Sequence, residues 1–317
     1  MTIKLRKLGK QGPQLSVLGL GTWSMGGPGG GGWGPSDDRE SIRTIHRAID
    51  LGINWIDTAP VYGLGHAEEL VGKAIQGRRD QLYIATKCGL PWNETGAVRH
   101  DISPASIRKE IENSLRRLDV DVIDLYQIHW PSANQSEAQA WCELLRLKRE
   151  GKVRWIGVSN FDVGLMKQCV KYGPIDSLQP PYNLLQREIE KKILPFCRAQ
   201  GIGVLSYSPM CSGLLSGHFD RRNISPHDWR ATHPMFNNQK LEHHLAVVRH
   251  LEPIAGKYDL SVGQLAVAWV LRRPEITGTI IGPRSLAQIK DIVKIHDFNL
   301  TPFDIQAIHT ILADPII

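Results

Sequence analysis

The fold of this chain is decided by three segments: INWIDTAPVYG (53–63), LYIATK (82–87) and VIDLYQIHWP (122–131). Each begins as a short apolar run rich in β-branched or aromatic residues, a pattern typical of a buried β-strand. The runs end in side chains that can carry or transfer a proton, namely Asp57, Tyr62, Lys87 and His129. Because parallel strands of one barrel end at a common rim, this pattern predicts that the four side chains share one site.

Five more runs of this kind extend the pattern along the chain, at 17–21, 154–158, 176–179, 202–206 and 278–282. Amphipathic stretches lie between the strand candidates and predict helices near 37–51, 66–76, 104–118, 136–150, 162–172, 188–200, 242–257, 261–272 and 285–295. Ser103 followed by Pro104 is a typical helix start. Glycines typical of helix ends follow three of the stretches, at Gly52, Gly151 and Gly201. This alternation predicts an α/β fold. It favours a (β/α)8 TIM barrel in preference to an open doubly wound sheet.

Three segments lie outside this repeating pattern. The opening KLRKLGKQGPQLSVLGL (4–20) predicts a β-hairpin that turns at 9–13. A Gly/Pro-rich loop at 24–36 follows the first barrel strand, and a long insert at 211–240 follows the seventh. Loops this long in a barrel are often functional, so we predict that the insert is a lid. No linker or change of composition divides the chain, which predicts one domain over 1–317.

The bulk composition is that of an ordinary globular protein, with 42% hydrophobic and 22% charged residues in a chain of 317. The 38 basic and 32 acidic residues give a net charge of +6, spread along the chain without a Lys/Arg block. This distribution argues against a nucleic-acid partner. A small anionic ligand, such as a phosphorylated cofactor, accounts for the excess as well as a solvated surface does.

The five cysteines form no CxxC pair and no metal-type spacing, so the sequence predicts reduced thiols and no metal site. The N-terminal residues lack the apolar stretch of a secretory signal, and no run approaches the ~18 residues of a membrane helix. We therefore predict a cytoplasmic protein with no membrane partner.

The four polar residues at the strand ends are suited to controlled proton transfer. An ammonium such as that of Lys87 favours the phenolate form of a nearby Tyr62, and the carboxylate of Asp57 would hold the ammonium in place. This predicts that Tyr62 gives up its proton nearer neutral pH than its ordinary pKa of about 10. His129 would donate a hydrogen bond to a substrate oxygen. Such a set can protonate a carbonyl oxygen while a hydride reaches its carbon.

With these segments in place, the chain resembles the aldo-keto reductase family from end to end. The resemblance extends to GLGTW (19–23), GVSNF (157–161), SLQPPYN (177–183), YSP (207–209) and IIGPRSLAQI (280–289). It implies that Tyr62 is the general acid, that Lys87 and Asp57 tune it and that His129 orients the substrate. It also implies an NADP-dependent reductase of aldehydes and ketones, of the alcohol dehydrogenase type, that can run in reverse.

The same resemblance implies a set of cofactor-binding residues: Gly21, Thr22, Ser159, Asn160, Gln179, Tyr207, Ser208, Gly213, Gly282, Arg284 and Gln288. Asn160 and Gln179 offer the donors and acceptors that a carboxamide needs, and Tyr207 would stack on the nicotinamide ring. The guanidinium of Arg284 suits a 2′-phosphate, which favours NADPH, with NADH as a weaker alternative. Ile292 departs from the family, since many members have an Asn there that contacts adenine.

The substrate site is less well defined by the sequence. Trp23, Trp92 and Trp130 predict an aromatic-walled pocket for a small-molecule carbonyl, and we favour small or polar aldehydes. One alternative is a lyase in which Lys87 forms a Schiff base with its substrate. Another is a barrel that holds its cofactor mainly to regulate a partner protein. The first leaves the cofactor motifs unexplained, and the second leaves the four polar residues at the strand ends unexplained.

Overall fold

The centre of the molecule is a closed barrel of eight parallel strands, which alternate along the chain with helices. The computed structural model describes residues 3–226, 228–236 and 238–314. Two antiparallel strands precede the barrel, β1 (Leu5–Lys7) and β2 (Gln14–Ser16). The barrel strands are β3 (Leu18–Gly21), β4 (Trp55–Asp57), β5 (Tyr83–Cys88), β6 (Ile123–Ile128), β7 (Val153–Ser159), β8 (Ser177–Gln179), β9 (Gly203–Ser206) and β10 (Ile276–Ile281). The predicted TIM barrel with an N-terminal hairpin is confirmed.

Strands that follow one another in the chain also pair with one another, and the last closes the barrel against the first in the order β10-β3-β4-β5-β6-β7-β8-β9. All of these pairs are parallel, so the C-terminal strand ends lie on one rim. The register places Lys87 opposite Gln127 and Ser159 opposite Gln179 near those ends. The polar side chains that follow the apolar runs therefore meet at the same end of the barrel.

Ten α-helices are found among the described residues: α1 (Asp38–Asp50), α2 (His66–Ala74), α3 (Pro104–Leu118), α4 (Glu137–Arg149), α5 (Val163–Cys169), α6 (Ile193–Gln200), α7 (Asn238–Gly256), α8 (Val262–Leu271), α9 (Leu286–Ile292) and α10 (Pro302–Ala313). The predicted start of α3 is confirmed, because the Ser103 hydroxyl accepts a hydrogen bond from the backbone N–H of Ser106. Within this part of the chain no helix is both long and apolar enough to cross a membrane.

Helix α10 was not predicted from the sequence. It begins like α3, with Thr301 accepting a hydrogen bond from the backbone N–H of Asp304 and Pro302 in the first turn. Its apolar stripe is less regular than those of the barrel helices, since Phe303 is 75% exposed. The capping signal at Thr301-Pro302 would have identified it.

The N-terminal hairpin closes the end of the barrel opposite the polar rim. Leu8 and Leu15 are buried in one cluster with Trp55, Leu125 and other barrel residues. The Trp55 indole donates a 2.8 Å hydrogen bond to the carbonyl of Ser16, which ties the barrel to β2. With this end filled by apolar side chains, the rim at the C-terminal strand ends is the open end of the barrel.

The two long loops lie beside each other at the open end. The insert after β9 consists of short 3-10 turns, at Cys211–Ser216, Arg221–Asn223, Trp229–Ala231 and Pro234–Phe236. Residues 227 and 237 of the predicted 211–240 insert lie outside the described residues, and α7 begins at Asn238. The ring of Trp229 stacks on Trp23 with 5.4 Å between centroids, and the Arg230 guanidinium lies 4.3 Å from the centre of the Trp33 ring. Trp229 also contacts Trp33 edge to face, with 6.1 Å between centroids, so the insert is joined both to the end of the first barrel strand and to the Gly/Pro-rich loop.

Candidate active site

A buried ion pair forms the floor of the open end. The Lys87 ammonium donates to Asp57 Oδ1 at 2.7 Å and to the carbonyl oxygen of Thr58 at 2.9 Å, and its side chain has no solvent exposure. Burial lowers the pKa of Lys87 below its usual 10.5, while Asp57, and to a smaller extent Glu68, act in the opposite direction. An ammonium in this position depends on its carboxylate partners to stay charged.

Tyr62 reaches this pair from the turn after β4. Its hydroxyl oxygen is 3.4 Å from the Lys87 nitrogen, which also lies 5.1 Å from the centre of the ring. Burial, and then the nearby Asp57 carboxylate, raise the pKa of Tyr62 well above 10. The prediction of a lowered Tyr62 pKa is therefore wrong. Burial of the phenolate and the negative charge of Asp57 favour the neutral phenol more strongly than the Lys87 ammonium favours the phenolate. Tyr62 rests as a neutral phenol.

His129 stands directly after β6 and faces Tyr62 edge to face, with 5.8 Å between ring centroids. Its backbone N–H donates to the carbonyl of Cys88, which fixes the position of the residue beyond the strand end. Burial, together with the positive charges of Lys87 and His100, lowers the pKa of His129 well below 6.5. The imidazole is therefore neutral at physiological pH and has one N–H to donate.

The residues predicted to hold a nicotinamide are hydrogen-bonded to this cluster. Gln179 Nε2 donates to Asp57 Oδ2 at 2.7 Å, and the Ser159 hydroxyl donates to the Gln179 carbonyl at 2.9 Å. Asn160 donates to the carbonyl of His129 at 3.0 Å and accepts from the Tyr207 hydroxyl at 2.9 Å. Asp57 thus connects the ion pair with the amide side chains on the neighbouring strands.

A cavity of about 1200 Å³ opens above these residues. This volume is above the range of 300–1,000 Å³ usual for small-ligand sites, so it can hold an extended ligand. Most of the predicted site residues line it: Gly21, Trp23, Asp57, Tyr62, His129, Trp130, Ser159, Asn160, Gln179, Tyr207, Ser208, Gly213, Gly282, Arg284 and Gln288. Ile292 also lines it, beside Asp291.

Three predicted residues do not line the cavity. Lys87 lies beneath it, and Thr22 is buried behind the rim, where its hydroxyl donates to the Asp57 carbonyl at 3.2 Å. Trp92, which the sequence predicted to wall the substrate pocket, is not among the lining residues. The Arg117 guanidinium of α3 lies 5.5 Å from the centre of the Trp92 ring, and the Trp92 backbone pairs with Val98 in a short antiparallel bridge. Val98 lines the cavity instead.

Several lining residues were not predicted as site residues. Trp33 from the Gly/Pro-rich loop and Arg230 from the insert close one side, and Leu90 and His100 from the segment after β5 add to another. Trp33 could have been proposed from its place inside a run of glycines after the first barrel strand. The others lie in loops of no particular pattern, and only the folded chain brings them to the cavity.

Within the described residues no cluster of three or more His, Cys, Asp or Glu side chains could hold a metal ion. The cavity instead offers the Tyr62 phenol beside the Lys87 ammonium, the neutral imidazole of His129, the amide side chains and the guanidinium of Arg284. These groups, at the open end of a TIM barrel, can transfer a proton to a ligand bound in the cavity and pair with an anionic part of it.

Comparison with known proteins identifies the family. The model of the aldo/keto reductase family matches residues 17–313. The aldo-keto reductase YhdN of Bacillus subtilis is 40% identical over 309 residues, 96% of this chain and 92% of the relative. The NADH-specific methylglyoxal reductase of Escherichia coli is 36% identical over 304 residues, 92% of each chain. The structure of the glycerol dehydrogenase of Gluconobacter oxydans is 40% identical, with a TM-score of 0.87 over 98% of this chain and 95% of that one.

The chain therefore belongs to the aldo-keto reductase family, whose enzymes are oxidoreductases that reduce small carbonyl compounds with nicotinamide cofactors.

Proposed function

We propose that this enzyme reduces small aldehydes and ketones to alcohols with NADPH, using Tyr62 as the general acid. The observation that carries the proposal is the position of the Lys87 ammonium, 2.7 Å from Asp57 and 3.4 Å from the Tyr62 hydroxyl at the floor of the cavity. The test is NADPH oxidation measured against a panel of aldehydes and ketones. Absence of turnover with every member of the panel would contradict it.

The four residues divide the work of moving one proton. Tyr62 is protonated at rest and can donate to a carbonyl oxygen in the cavity, and the adjacent ammonium stabilises the phenolate that results. Asp57 keeps Lys87 charged and in place. His129 is neutral and can donate its N–H to the same oxygen, which orients the substrate without adding a charge. In the reverse direction the phenolate would accept the proton of an alcohol.

The residues along the cavity suit a nicotinamide dinucleotide, which would supply the hydride when bound. Asn160 and Gln179 would hold the carboxamide of the ring, and Tyr207 would stack on the ring beside them. At the other end, Arg284 is exposed and has no ion pair among the described residues, so its guanidinium can receive a 2′-phosphate. Asp291 and Ile292 also line the cavity, and the Asp291 carboxylate pairs with Lys294 at 3.3 Å.

Arg284→Ala is expected to raise the KM for NADPH roughly ten- to hundredfold and to leave the KM for NADH nearly unchanged. The physical reason is the loss of a charge-assisted hydrogen bond, worth about 1.5–3 kcal/mol. Steady-state kinetics with both cofactors measure it, and Lys290→Ala, an exposed cation on the same helix outside the cavity, is the matched control. If the KM values for NADPH and NADH rose by the same factor, the assignment of Arg284 to the 2′-phosphate would be wrong. The name of the Escherichia coli relative makes NADH the second candidate cofactor.

The substrate we propose is a short polar carbonyl compound. Trp23, Trp33 and Trp130 leave an aromatic-walled space above Tyr62 and His129, and the insert covers one side of it. The names of two relatives point the same way, since methylglyoxal and glycerol are both short and polar. The carbonyl panel should therefore give its highest kcat/KM with short hydroxylated or dicarbonyl members.

The insert is proposed to act as a lid over the cofactor. Trp229→Leu removes the stacked contact with Trp23 and is expected to speed cofactor release about two- to tenfold, since an aromatic pair contributes about 0.5–1.5 kcal/mol. Stopped-flow fluorescence of bound NADPH measures the release rate. Trp155→Leu is the control, because Trp155 packs on Tyr83 at the opposite end of the barrel. Release unchanged in Trp229→Leu would show that the insert does not retain the cofactor.

The lyase alternative has less support in the geometry. Lys87 donates to both Asp57 and the Thr58 carbonyl and is not among the cavity-lining residues, so it is not placed as a free amine nucleophile. A single domain over 1–317, a cytoplasmic location and the lack of a nucleic-acid partner stay predictions from the sequence.

A further inference from the structure

A buried carboxylate on α3 holds the start of a loop that forms one wall of the cavity. Glu110 is 7% exposed, and its two oxygens both accept from the backbone N–H of Gly89 at 3.1 Å. The hydroxyl of Ser106 also donates to it, at 3.1 Å. It makes no ion pair with any residue in the described part of the chain. Its hydrogen-bond donors are therefore neutral groups, the backbone N–H of Gly89 and the hydroxyl of Ser106.

The loop begins where β5 ends and runs from Gly89 to Ile102. Gly89 has a φ of +97°, and a Cβ there would lie 2.8 Å from the Ile102 side chain, so glycine is required at this turn. The two ends of the loop are joined by the bond from the Asp101 N–H to the Gly89 carbonyl, at 3.1 Å. Between them, Leu90, Val98 and His100 line the cavity on the side of Tyr62 and His129. The groups that fix Gly89 therefore also position the part of the loop that lines the cavity.

The groups that face Glu110 from the surrounding elements are uncharged or negative. Cys88 on β5 and Tyr126 on β6 are buried, and burial raises the pKa of both well above their usual values, so both stay neutral. Asp101, from the end of the loop, is the nearest charge on Glu110. Burial opposes its ionisation, but hydrogen bonds from Ser103 and Gln135 lower the pKa of Asp101, so it is ionised. Glu68 from α2 acts on Tyr126 and is held by Arg117.

We propose that Glu110 is a positioning residue for carbonyl reduction, which fastens the start of the 89–102 loop to α3 and holds it more firmly at acidic than at neutral pH. The inference rests on the proposed function, since it takes this side of the cavity as the substrate site.

The direction of the pH effect follows from the proton affinity of Glu110 in the two states of the loop. Burial raises the pKa of Glu110 from 4.5 to about 7, although the hydrogen bonds from Gly89 and Ser106 act in the opposite direction, and an opened loop would leave the carboxyl nearer to water. The closed loop therefore binds the proton more tightly, so its stability is fully present below pH 4.5 and is lost as the pH rises to about 7. Over that pH range the equilibrium constant for loop opening should increase by up to about tenfold per pH unit. At higher pH it should become constant.

Hydrogen–deuterium exchange of the cofactor-free full chain tests this pH dependence of loop opening. Exchange is followed in peptides that contain Gly89 and Leu90, from about pH 5 to about pH 8, and is corrected for intrinsic exchange rates. The opening equilibrium of the unaltered protein should rise with pH and then level off. Glu110→Gln, an uncharged isostere, should remove the pH dependence and give stronger protection than the unaltered protein at about pH 8. Glu110→Ala removes the acceptor and should lose protection at every pH. Glu112→Gln, a more exposed neighbour on α3 whose partner is Lys152, should keep the original pH dependence.

The catalytic readout separates a positioning role from a merely structural one. With saturating cofactor, Glu110→Ala should raise the KM for the carbonyl roughly tenfold, while kcat and the KM for the cofactor change less than about twofold. If this variant fails to fold, the exchange profile of Glu110→Gln still decides. The inference would be overturned if the corrected exchange at Gly89 did not change with pH, or if its pH dependence persisted in Glu110→Gln. It would also be overturned if the KM for the carbonyl did not rise when the loop opens more often. Absence of carbonyl turnover would refute the proposed function alone, because exchange needs no turnover.

Discussion

Tyr62→Phe should lower kcat for carbonyl reduction roughly 10²–10⁴-fold, the usual contribution of a positioned general acid. The substitution removes one oxygen and keeps the ring, so its packing on Trp23 and its edge-to-face contact with His129 should persist. The loss should appear in kcat and kcat/KM alike, because the proton is transferred only in the transition state. Steady-state rates at saturating NADPH, over several carbonyl compounds, measure the effect.

Cofactor affinity is the internal control for this variant. The Kd for NADPH, measured by fluorescence, should change less than about twofold, since the Tyr62 hydroxyl serves the carbonyl and not the dinucleotide. Tyr172→Phe is the matched substitution elsewhere, at a tyrosine that is 57% exposed on the surface. Turnover that stays within a few-fold of the unaltered enzyme in Tyr62→Phe would refute the assignment of the acid.

Lys87→Met should have the second largest effect, and it should act on both stability and rate. Asp57 would be left buried without its cation, which costs about 3–5 kcal/mol of the free energy of unfolding. The rate should fall about 10²–10³-fold, the usual loss when one preorganised electrostatic partner is removed, because the Tyr62 phenolate loses its stabilising charge. Denaturant unfolding and steady-state kinetics measure the two effects independently.

The double variant Asp57→Asn with Lys87→Met separates these effects. It has no unpaired charge, and Asn can still accept from Gln179, so most of the lost stability should return. Activity should not return, because neither variant has an ammonium beside Tyr62. If the double variant regained activity together with stability, Lys87 would be a structural residue only.

Much of the site could be predicted because its residues stand at strand ends. Asp57 and Gln179 are the last residues of their barrel strands and Lys87 is the last but one, so their order in the chain is also their order around the rim. Strand order gives no direction for a side chain that projects from a loop. Trp92 is one residue among several in a segment without periodicity, and its direction depends on the bridge to Val98 and on the position of Arg117.

The pKa of Tyr62 shows a second limit of the same kind. The sequence places an amine, an acid and a phenol together, and an ammonium beside a phenol favours phenolate. The sign of the shift depends on how deeply the three groups are buried and on their distances, and in the folded chain burial and Asp57 prevail. The buried Glu110 is a comparable case, since nothing in SIRKEIENS (106–114) marks one glutamate as different from its neighbour at 112.

The amino-acid sequence alone determined the barrel, its hairpin, its open rim and the four polar residues placed there, because strand periodicity, caps and the parallel order of strands are local or follow from chain order. Only the tertiary structure decided which loops wall the cavity, which protonation states its groups hold and where Glu110 acts. Those properties depend on burial and on contacts between residues far apart in the chain, such as Gln179 with Asp57, and no pattern within one segment contains them.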